Sequence, residues 1–446
     1  PSPGCDFILS TRRSHPTASN PHRRLSSVAS INPRPIPPPM TPKRILINTN
    51  HFYPEVFRVN DVAFHLAQRG HKVTVITCIP NYPEGKTFPG YGLFKRQREV
   101  VNGVDVIRVP VIPRGDGGSA TMLFLNYLSY LISATLRVLL LVFQKRFDCI
   151  LVHETSPVTV GVPAAIVKIL QRIPMYFWVL DLWPESLSAA GGINNKAILG
   201  LFNSLTRWLY KKSTKILISS KGFRSSICKK GDFDDKIIYF PNWGEDALTE
   251  VKSPPSDFKL PDLPKGFRIM YAGNIGEAQN FEDIMQAALL RKDSDVRWLL
   301  VGDGRKREWV EKFVADNALS DSVFLLGRHP IETMPMFFAE ADILLVSLKN
   351  EYIFNNTVPA KLQAYMAFGK PILAMINGEG AEIVKDANCG FSVPAGDYKA
   401  LSETIKDKVI GNAQLSALGK NGRNYYYKNY SKDIVLSRLN NMIEEE

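Results

Sequence analysis

Cysteine is scarce in this chain. The five cysteines are an odd number at wide spacing, namely Cys5, Cys78, Cys149, Cys228 and Cys389. Such spacing suits neither a disulfide framework nor a zinc cluster. We therefore expect the chain to work in a reducing compartment.

Motifs of several enzyme classes are also missing. Neither predicted nucleotide-binding unit has G-x-G-x-x-G and a downstream acid after its first strand, which argues against a Rossmann oxidoreductase. No set of His and Cys has zinc spacing, and no Ser-His-Asp order stands out. Two Asp-x-Asp matches, 232–234 and 293–295, lie in charged contexts rather than after an apolar strand. We interpret both as solvated surface and predict no metal site.

Positive charge is in excess in this chain. The formal net charge is +12, from 55 Lys and Arg against 43 Asp and Glu. The basic residues are scattered without the basic-aromatic signature of an RNA or DNA surface, so we expect no nucleic-acid partner. Anionic small molecules or an anionic membrane face fit this charge better.

Acidic residues are nearly absent from residues 1–39, where Asp6 is the sole acid and Pro, Ser and Arg are abundant. This composition cannot form a folded core. The segment lacks the long apolar centre of a secretory signal, although its Arg and Ser content would also suit an organelle transit peptide. Because a fold-start pattern follows Met40 at once, we favour a disordered or non-native extension.

At 446 residues the chain is long for one core, and its 45% hydrophobic content is ordinary for a globular protein. A strand, a helix and a strand are predicted at 44–49, 59–69 and 72–77, which is the first βαβ unit of a Rossmann-like sheet. A second unit begins at 267–272, after a proline-rich stretch. The predicted α/β plan comprises an N-terminal Rossmann-like domain at 40–243, a linker at 244–266, a second Rossmann-like domain at 267–425 and a C-terminal helix at 426–446.

One long apolar run, Thr121 to Phe143, is interrupted by a single charge, Arg137. Its length would suffice for a membrane span. However, the strands predicted before and after it belong to one sheet, and a span would place them on opposite sides of the bilayer. An arginine at mid-span would also cost about 2.5 to 3.5 kcal/mol on insertion scales. Two alternatives remain open, a buried core helix and a helix that docks shallowly into one leaflet.

Residues 357–374 combine a loop, a helix start and a strand. The loop closes at Pro359, residues 361–368 have helical character, and Gly369 ends the helix. The first turn of such a helix leaves unpaired backbone N–H groups, and Lys361 adds a full positive charge there. We predict a phosphate site at this turn, with an ordinary amphipathic helix as the alternative.

This stretch resembles the donor-binding helix of the family 4 glycosyltransferases. AYMAFGKPILA is similar to the family element E-A-M-A-x-G-x-P-V-V-A, and Pro359-Ala360-Lys361 to its P-S-K variant. The resemblance covers roughly residues 43–446 and implies the GT-B fold, with two Rossmann-like domains facing across a cleft and a C-terminal helix crossing back. The family's paired glutamates would fall on Asn356 and Ala364, so Asn356 and Gln363 are the candidates to replace them.

The resemblance implies that the second domain binds the nucleotide-sugar donor. In the family the loop after the first strand of that domain holds the pyrophosphate, and here it reads Gly273-Asn274-Ile275-Gly276. The cations usual in that loop are missing, which leaves Lys361 as the main candidate to meet the phosphates. The donor-binding candidates are Gly273, Asn274, Gly276, Arg328, Asn356, Lys361, Gln363, Gly378 and Gly380.

The same resemblance implies an acceptor site on the first domain. The phrases YPEVFRVN, HETSP and DLWPE are similar to family elements that follow strands of that domain. The acceptor-binding candidates are Tyr53, Glu55, Arg58 and Glu185, and the catalytic candidates are His153, Asp181 and Lys361. Arg58 would either meet a phosphate or be a solvated loop residue. Asp181 would bind acceptor hydroxyls or help to remove a proton.

The function implied is metal-independent, retaining transfer of a hexosyl or N-acetylhexosaminyl group. We expect a nucleotide-sugar donor, UDP-linked, and a polyprenyl-pyrophosphate-linked saccharide acceptor in bacterial surface polysaccharide synthesis, such as O-antigen or capsule. No cofactor is expected, because the nucleotide-sugar is a substrate. The expected location is cytoplasmic, peripheral on the membrane. A nucleotide-sugar 2-epimerase of the same fold and a catalytically weak, membrane-docked binding protein remain alternatives.

Overall fold

The computed structural model describes residues 41–115, 120–191, 195–249 and 258–445. The extension predicted at 1–39 and residues 250–257 of the predicted linker lie outside these ranges. Within them the chain forms two sheets, one from each half of the sequence.

The first sheet has eight strands. They are β1 (Arg44–Thr49), β2 (Lys72–Cys78), β3 (Arg98–Val101), β4 (Val104–Val109), β5 (Cys149–Glu154), β6 (Met175–Val179), β7 (Lys215–Ile218) and β8 (Ile237–Tyr239). Their order is β3-β4-β2-β1-β5-β6-β7-β8, and every strand except β3 pairs in parallel. Since a parallel sheet is covered on both faces, its central strands are rich in buried apolar residues, as in the fully buried run Ile45 to Ile47.

The edge strand β3 was not predicted from the sequence. It pairs antiparallel with β4 across a turn at Asn102 and Gly103, which both adopt positive φ. An Asn-Gly pair between two short runs is the usual signal of such a hairpin. Only four residues form β3, and their burial alternates, so the run is too short and too polar to stand out.

Helices α1 to α6 accompany this sheet. They are α1 (Arg58–Gln68), α2 (Ala120–Gln144), α3 (Gly161–Gln171), α4 (Glu185–Gly191), α5 (Lys196–Lys212) and α6 (Phe223–Lys229). Helix α1 buries Val59, Val62, Ala63 and Leu66, which share one face at helical spacing. Helix α5 begins where the Asn195 side chain accepts from the amides of Ala197 and Ile198.

Helix α2 has one buried side and one exposed apolar side. One side belongs to the core, where Tyr130, Ala134 and Val138 are buried. The other side exposes large apolar side chains, among them Leu136 at 60% and Phe143 at 86% exposure. Among the described residues, α2 is the one helix long and apolar enough to cross a membrane, and 33% of its apolar window is buried inside the protein. The flanking strands β4 and β5 lie in one sheet, as the topological argument required.

The second sheet has six strands, all parallel. They are β9 (Phe267–Ala272), β10 (Val296–Val301), β11 (Val323–Gly327), β12 (Ile343–Ser347), β13 (Ile372–Met375) and β14 (Gly390–Val393), in the order β11-β10-β9-β12-β13-β14. The remaining helices are α7 (Phe281–Leu290), α8 (Arg307–Asp316), α9 (Met334–Glu340), α10 (Tyr352–Asn355), α11 (Ala360–Phe368), α12 (Glu379–Asp386), α13 (Tyr398–Thr404), α14 (Leu415–Asn429) and α15 (Lys432–Glu445). Gly369 ends α11 in the left-handed region at φ 89°, which confirms the predicted stop.

The last helix returns to the first domain. Val435, Leu436, Leu439 and Ile443 of α15 pack in the same apolar cluster as Ile45 and Ile47 of β1. Polar contacts fix this docking, because the side chain of Asn440 lies 3.0 Å from His71 Nε2. The C-terminal helix therefore crosses back, as the family resemblance implied.

Ligand crevices are expected where the order of a parallel sheet reverses. In the first sheet β1 lies between β2 and β5, and in the second sheet β9 lies between β10 and β12. The carboxyl ends of the two sheets face each other, because Gly222, which follows β7, donates its N–H to Glu379 at the start of α12, 3.2 Å away.

Candidate active site

The crevice of the first sheet is formed by the ends of β1 and β5. Thr49 and His153 pair in register there, and Thr49 Oγ1 lies 2.9 Å from His153 Nδ1. His153 is 1% exposed, and burial, followed by the charge of His51, lowers its pKa to about 3. The imidazole is therefore neutral at physiological pH and acts as a hydrogen-bonding group rather than as a charge.

Two carboxyl groups follow at the strand ends, Glu154 as the last residue of β5 and Asp181 just beyond β6. Burial raises the pKa of Asp181 to about 6, and the Ser186 hydroxyl donates to this carboxylate. Burial and then Asp181 raise the pKa of Glu154 well above its ordinary value, and Glu154 is 1% exposed. The sequence places Glu154 with His153 at a strand end, where functional groups collect, but does not single it out as a catalytic candidate.

The predicted acceptor residues Glu55 and Tyr53 differ in their burial and in their hydrogen bonds. Glu55 is buried, and its Oε1 accepts the N–H groups of Asn81 and Tyr82, each at 2.7 Å, so this carboxylate holds the loop that follows β2. Tyr53, by contrast, is 37% exposed.

Arg58 and Glu185 are also held within the protein. The guanidinium of Arg58, at the start of α1, lies 5.7 Å from the ring centroid of buried Trp243, which favours a packing role. Glu185, at the start of α4, pairs with Lys230 and accepts from Ser226 Oγ at 2.6 Å, so its carboxylate is directed towards α6.

On the facing domain, the structure brings Lys361 against Gly273. Lys361 is the second residue of α11, and its Nζ lies 5.0 Å from the ring centroid of Tyr271 on β9. Gly273 follows β9 with φ 132°, and a Cβ added there would lie 2.4 Å from Lys361 Cε. The positive φ favours glycine at this position, and its missing side chain leaves room for the lysine stem, so the predicted cation meets the predicted pyrophosphate loop.

The same loop packs against a second glycine pair. A Cβ on Gly302 would lie 1.9 Å from the Gly273 carbonyl oxygen, and one on Gly304 would lie 2.4 Å from Asn274 Oδ1. The Gly276 N–H donates to Gln279 Oε1 at 3.1 Å. Gly302 and Gly304 are close together in the sequence just after β10, a pattern that indicates a tight backbone approach.

Of the remaining donor candidates, Gly378, Gly380 and Asn356 lie near the start of α11, whereas Arg328 lies apart from them. Gly378 (φ 66°) opens the turn before α12, and Gly380 lies against Ile376. Asn356 caps α10 by donating from Nδ2 to the Tyr352 carbonyl at 2.7 Å. Arg328 is exposed beyond β11, at the edge of the sheet.

Gln363, offered as a replacement for a missing glutamate, makes an interdomain contact. Its Nε2 donates to the Asn242 carbonyl at 2.7 Å, and the side chain is 1% exposed. Its Oε1 has no hydrogen-bond partner among the described residues. Gln363 thus ties α11 to the segment that follows β8.

No group of three or more His, Cys, Asp or Glu side chains within the described ranges could hold a metal ion. Of the two Asp-x-Asp sequences, Asp234 pairs with Arg224, and Asp295 lies 3.2 Å from Arg297. Both aspartates are largely exposed.

Comparisons with known proteins identify the family of this chain. Residues 266–409 match a family model described as "Glycosyl transferases group 1", and residues 56–243 match a "Glycosyl transferase 4-like domain". Together the two matches cover well over half of the chain. The chain belongs to the family 4 glycosyltransferases.

Individual relatives of this glycosyltransferase are distant. It is 30% identical over 276 residues to a "Probable glycosyltransferase WbjE" of Pseudomonas aeruginosa, an alignment that spans 59% of this chain and 66% of the relative. It is 24% identical over 343 residues to a "Putative colanic acid biosynthesis glycosyl transferase WcaI" of Escherichia coli strain K12, covering 73% and 81%.

Among solved structures, HepE of Anabaena, in complex with UDP and glucose, is similar with a TM-score of 0.62 at 16% identity. That match covers 91% of this chain and all of HepE. At this identity the likeness shows the fold alone. The glycosyltransferase has the GT-B fold that its sequence predicted.

Proposed function

We propose that this glycosyltransferase moves a sugar, with retention of anomeric configuration, from a UDP-linked donor to a polyprenyl-pyrophosphate-linked saccharide in bacterial surface polysaccharide biosynthesis. The WcaI relative, named for colanic acid biosynthesis, supports the pathway class. The HepE structure, which holds UDP and glucose, supports the donor class.

The observation that carries the proposal is the contact between Lys361 and the Gly273 loop. Departure of a nucleoside diphosphate creates negative charge on its phosphates. The lysine ammonium, the loop amides and the first turn of α11 are placed to stabilise that charge. In this mechanism the leaving phosphate accepts the proton of the acceptor hydroxyl, so attack comes from the face on which the nucleotide leaves.

Each of the two crevices binds one substrate. The donor nucleotide lies on the second domain, near β9 and α11, and the acceptor lies on the first domain, near β1 and β5. His153, neutral and fixed by Thr49, offers a hydrogen bond to the donor sugar from the acceptor side. Asp181, at the neighbouring strand end, binds an acceptor hydroxyl.

The proposal is tested by mass spectrometry of the protein with UDP-glucose, UDP-galactose or UDP-N-acetylglucosamine in EDTA, with and without a polyprenyl-pyrophosphate-linked saccharide. We expect a glycosylated lipid and UDP only when acceptor is present. Conversion of a UDP-sugar without acceptor into its 2-epimer, which has the same mass and is separated from the parent by chromatography, would instead identify an epimerase. A need for magnesium would contradict the metal-independent mechanism.

Transfer should also depend on pH through Asp181. Because its pKa is raised to about 6, we expect kcat/KM for the acceptor to fall about tenfold per pH unit below pH 6. His153, with a pKa of about 3, adds no titration in that range. Asp181→Asn should abolish this limb of the pH profile, whereas Asp316→Asn, at the exposed end of α8, should keep it. An unchanged limb in Asp181→Asn would exclude the carboxyl group as its origin.

The outer face of α2 supports a location at the membrane. Large apolar side chains recur along it and are each at least 37% exposed, namely Phe124, Leu128, Ile132, Leu136, Leu139, Leu140 and Phe143. A core helix needs only one apolar face, so this second face is in excess. Arg137 lies half-buried on the helix and exposed Arg146 follows its end, so positive charge flanks the apolar stripe. The apolar face would insert into an anionic membrane leaflet, and the arginines would pair with its negative charge.

Replacing Leu136 and Leu140 by serine should release the protein from sedimented anionic vesicles. Each substitution should weaken partitioning roughly tenfold, since an immersed leucine contributes about 1.5 kcal/mol. Transfer to a lipid acceptor should slow, while binding of UDP stays unchanged. Leu290→Ser, on an exposed leucine of the second domain, is the matched control and should bind as before. If the α2 variants unfold instead, as judged by thermal melting, the outer face is part of the core.

A further inference from the structure

A turn in the connection between β2 and β3 carries the most exposed large apolar side chain in the described part of the chain. Phe94 is 95% exposed, and its neighbour Leu93 is 52% exposed. Lys95 and Arg96 follow directly, and every residue from 93 to 98 is exposed. Single exposed apolar residues are common on protein surfaces, but two adjacent ones at the tip of a turn, followed by two cations, form an amphipathic patch. The proposed transfer mechanism makes no use of this patch.

The base of the turn is held in place by backbone and aromatic contacts. The Lys95 N–H donates to the Gly92 carbonyl at 3.1 Å, which closes the turn. The Tyr91 ring contacts two guanidinium groups, with its centroid 5.4 Å from Arg96 Cζ and 4.8 Å from Arg108 Cζ. Arg108 is itself buried on β4. The apolar tip therefore extends into solvent from a fixed base.

The connection that carries the turn packs against the segment that leads into α2. The Gly115 N–H donates to the Gly85 carbonyl at 3.1 Å, and a Cβ on Gly85 would lie 1.7 Å from the Gly115 carbonyl oxygen. Ile112, which is 41% exposed, donates its N–H to Ser129 Oγ of α2 at 2.9 Å. Exposed apolar surface therefore continues from α2 towards the connection that carries Phe94.

The charge of the turn indicates what kind of partner fits it. Residues 85–98 contain four basic residues and no acid. Arg98 pairs with Asp105, so Lys95 and Arg96 are the cations next to the tip. A second copy of this chain is a poor partner for them, because its own net charge is +12. An apolar tip beside cations suits an anionic leaflet, where the ring enters the acyl boundary and the cations meet the headgroup phosphates.

We propose that Leu93 and Phe94 insert into the same anionic leaflet as the outer face of α2, with Lys95 and Arg96 on its headgroups. This inference rests on the membrane location proposed for α2 and adds a second, separate contact. Strands β1, β2, β4 and β5 are parallel, so the connection after β2 and the start of α2 lie at the same edge of the sheet as the acceptor crevice. Two contacts at that edge turn the crevice towards the leaflet, where the pyrophosphate of a lipid-linked acceptor is located.

Insertion is tested with Phe94→Trp and vesicles of phosphatidylglycerol and phosphatidylcholine, with and without brominated acyl chains. Bromine quenches only a tryptophan that reaches the acyl region. After subtraction of the wild-type signal, the fluorescence added by Phe94→Trp should fall by about half or more on brominated vesicles. Leu290→Trp, at an exposed position of the second domain, should add fluorescence that the same vesicles leave unquenched.

Binding is measured by sedimentation with the same lipids. Phe94→Ser should melt as wild type, because the side chain is exposed, and should partition about tenfold more weakly. Lys95→Glu combined with Arg96→Glu should weaken binding about tenfold or more on vesicles with phosphatidylglycerol, but only within about twofold on pure phosphatidylcholine. The matched double reversal, Lys385→Glu with Lys399→Glu at exposed positions of the second domain, should bind as wild type within about twofold.

Three results would overturn this inference and leave docking by α2 intact. The first is sedimentation of Phe94→Trp without quenching of its added fluorescence. The second is an equal loss of transfer in Phe94→Ser with a short-chain acceptor in the absence of vesicles, which would mean that the tip contacts the acceptor. The third is conversion of a dimer into a monomer by Phe94→Ser in light scattering, which would make the tip an interface between copies. Wild-type protein that does not sediment with vesicles would overturn the location proposed for α2 as well.

Discussion

Lys361→Ala should lower turnover about a hundredfold. The loss corresponds to about 2.7 kcal/mol of transition-state stabilisation, comparable to removing one oxyanion donor. The reason is positional, because Lys361 lies in the first turn of α11 with its stem against Gly273, where the phosphates of a donor would sit. The loop itself carries Asn274 and Gln279 where a cation would be expected. The measurement is kcat for sugar transfer at saturating donor and acceptor.

The matched control is Lys385→Ala, an exposed lysine in the last turn of α12, which should keep wild-type turnover. A second variant, Lys361→Arg, keeps the charge but changes its shape, and should recover part of the rate if charge is what matters. Unchanged kinetics in Lys361→Ala would remove this residue from the site and, with it, the assignment of the phosphate position.

His153→Ala should reduce transfer by about a hundredfold or more while leaving UDP affinity within twofold of wild type. The imidazole stands at the acceptor-side crevice, so its loss removes a hydrogen bond to the reacting sugar and not to the nucleotide. Transfer rates and calorimetric UDP binding are measured on the same preparation.

Because His153 is buried against Trp178, with ring centroids 5.0 Å apart, the alanine variant could leave a cavity that destabilises the domain. His153→Gln fills most of that space and retains a donor and an acceptor, so it should melt closer to wild type and retain more activity. A parallel fall in UDP affinity and activity would mean that the nucleotide contacts the first domain, contrary to the proposed division of the cleft.

Most of the fold could be predicted from local sequence patterns. The βαβ start at β1, the long helix α2, the strand β9 and the stop at Gly369 depend on residues close in sequence, and each lies where the pattern indicated. The short strand β3 was not predicted, because its stability comes from pairing with β4 rather than from its own apolar content.

The contacts of the candidate site were harder to predict from the sequence, because they join residues that are far apart in the chain. The hydrogen bond between Glu379 and Gly222 spans 157 positions and exists only because two domains close on each other. Likewise, Glu55 resembles an acceptor ligand in sequence, yet its lone pairs are directed to the amides of Asn81 and Tyr82, 26 and 27 residues away. A motif predicts that a side chain lies at a strand end, but it does not determine which neighbouring groups form hydrogen bonds with that side chain.

The central claim is that one nucleotide-sugar reacts in the cleft with Lys361 on one side and His153 on the other, giving a product of retained configuration. Proton NMR of the reaction, with the UDP-sugar preferred by the protein and a polyprenyl-pyrophosphate-linked saccharide, follows the anomeric signals directly. The account predicts that the α-anomeric signal of the donor is replaced by an α-linked signal of the product as UDP appears. A β-linked product, or loss of the donor signal that does not require acceptor, would contradict it.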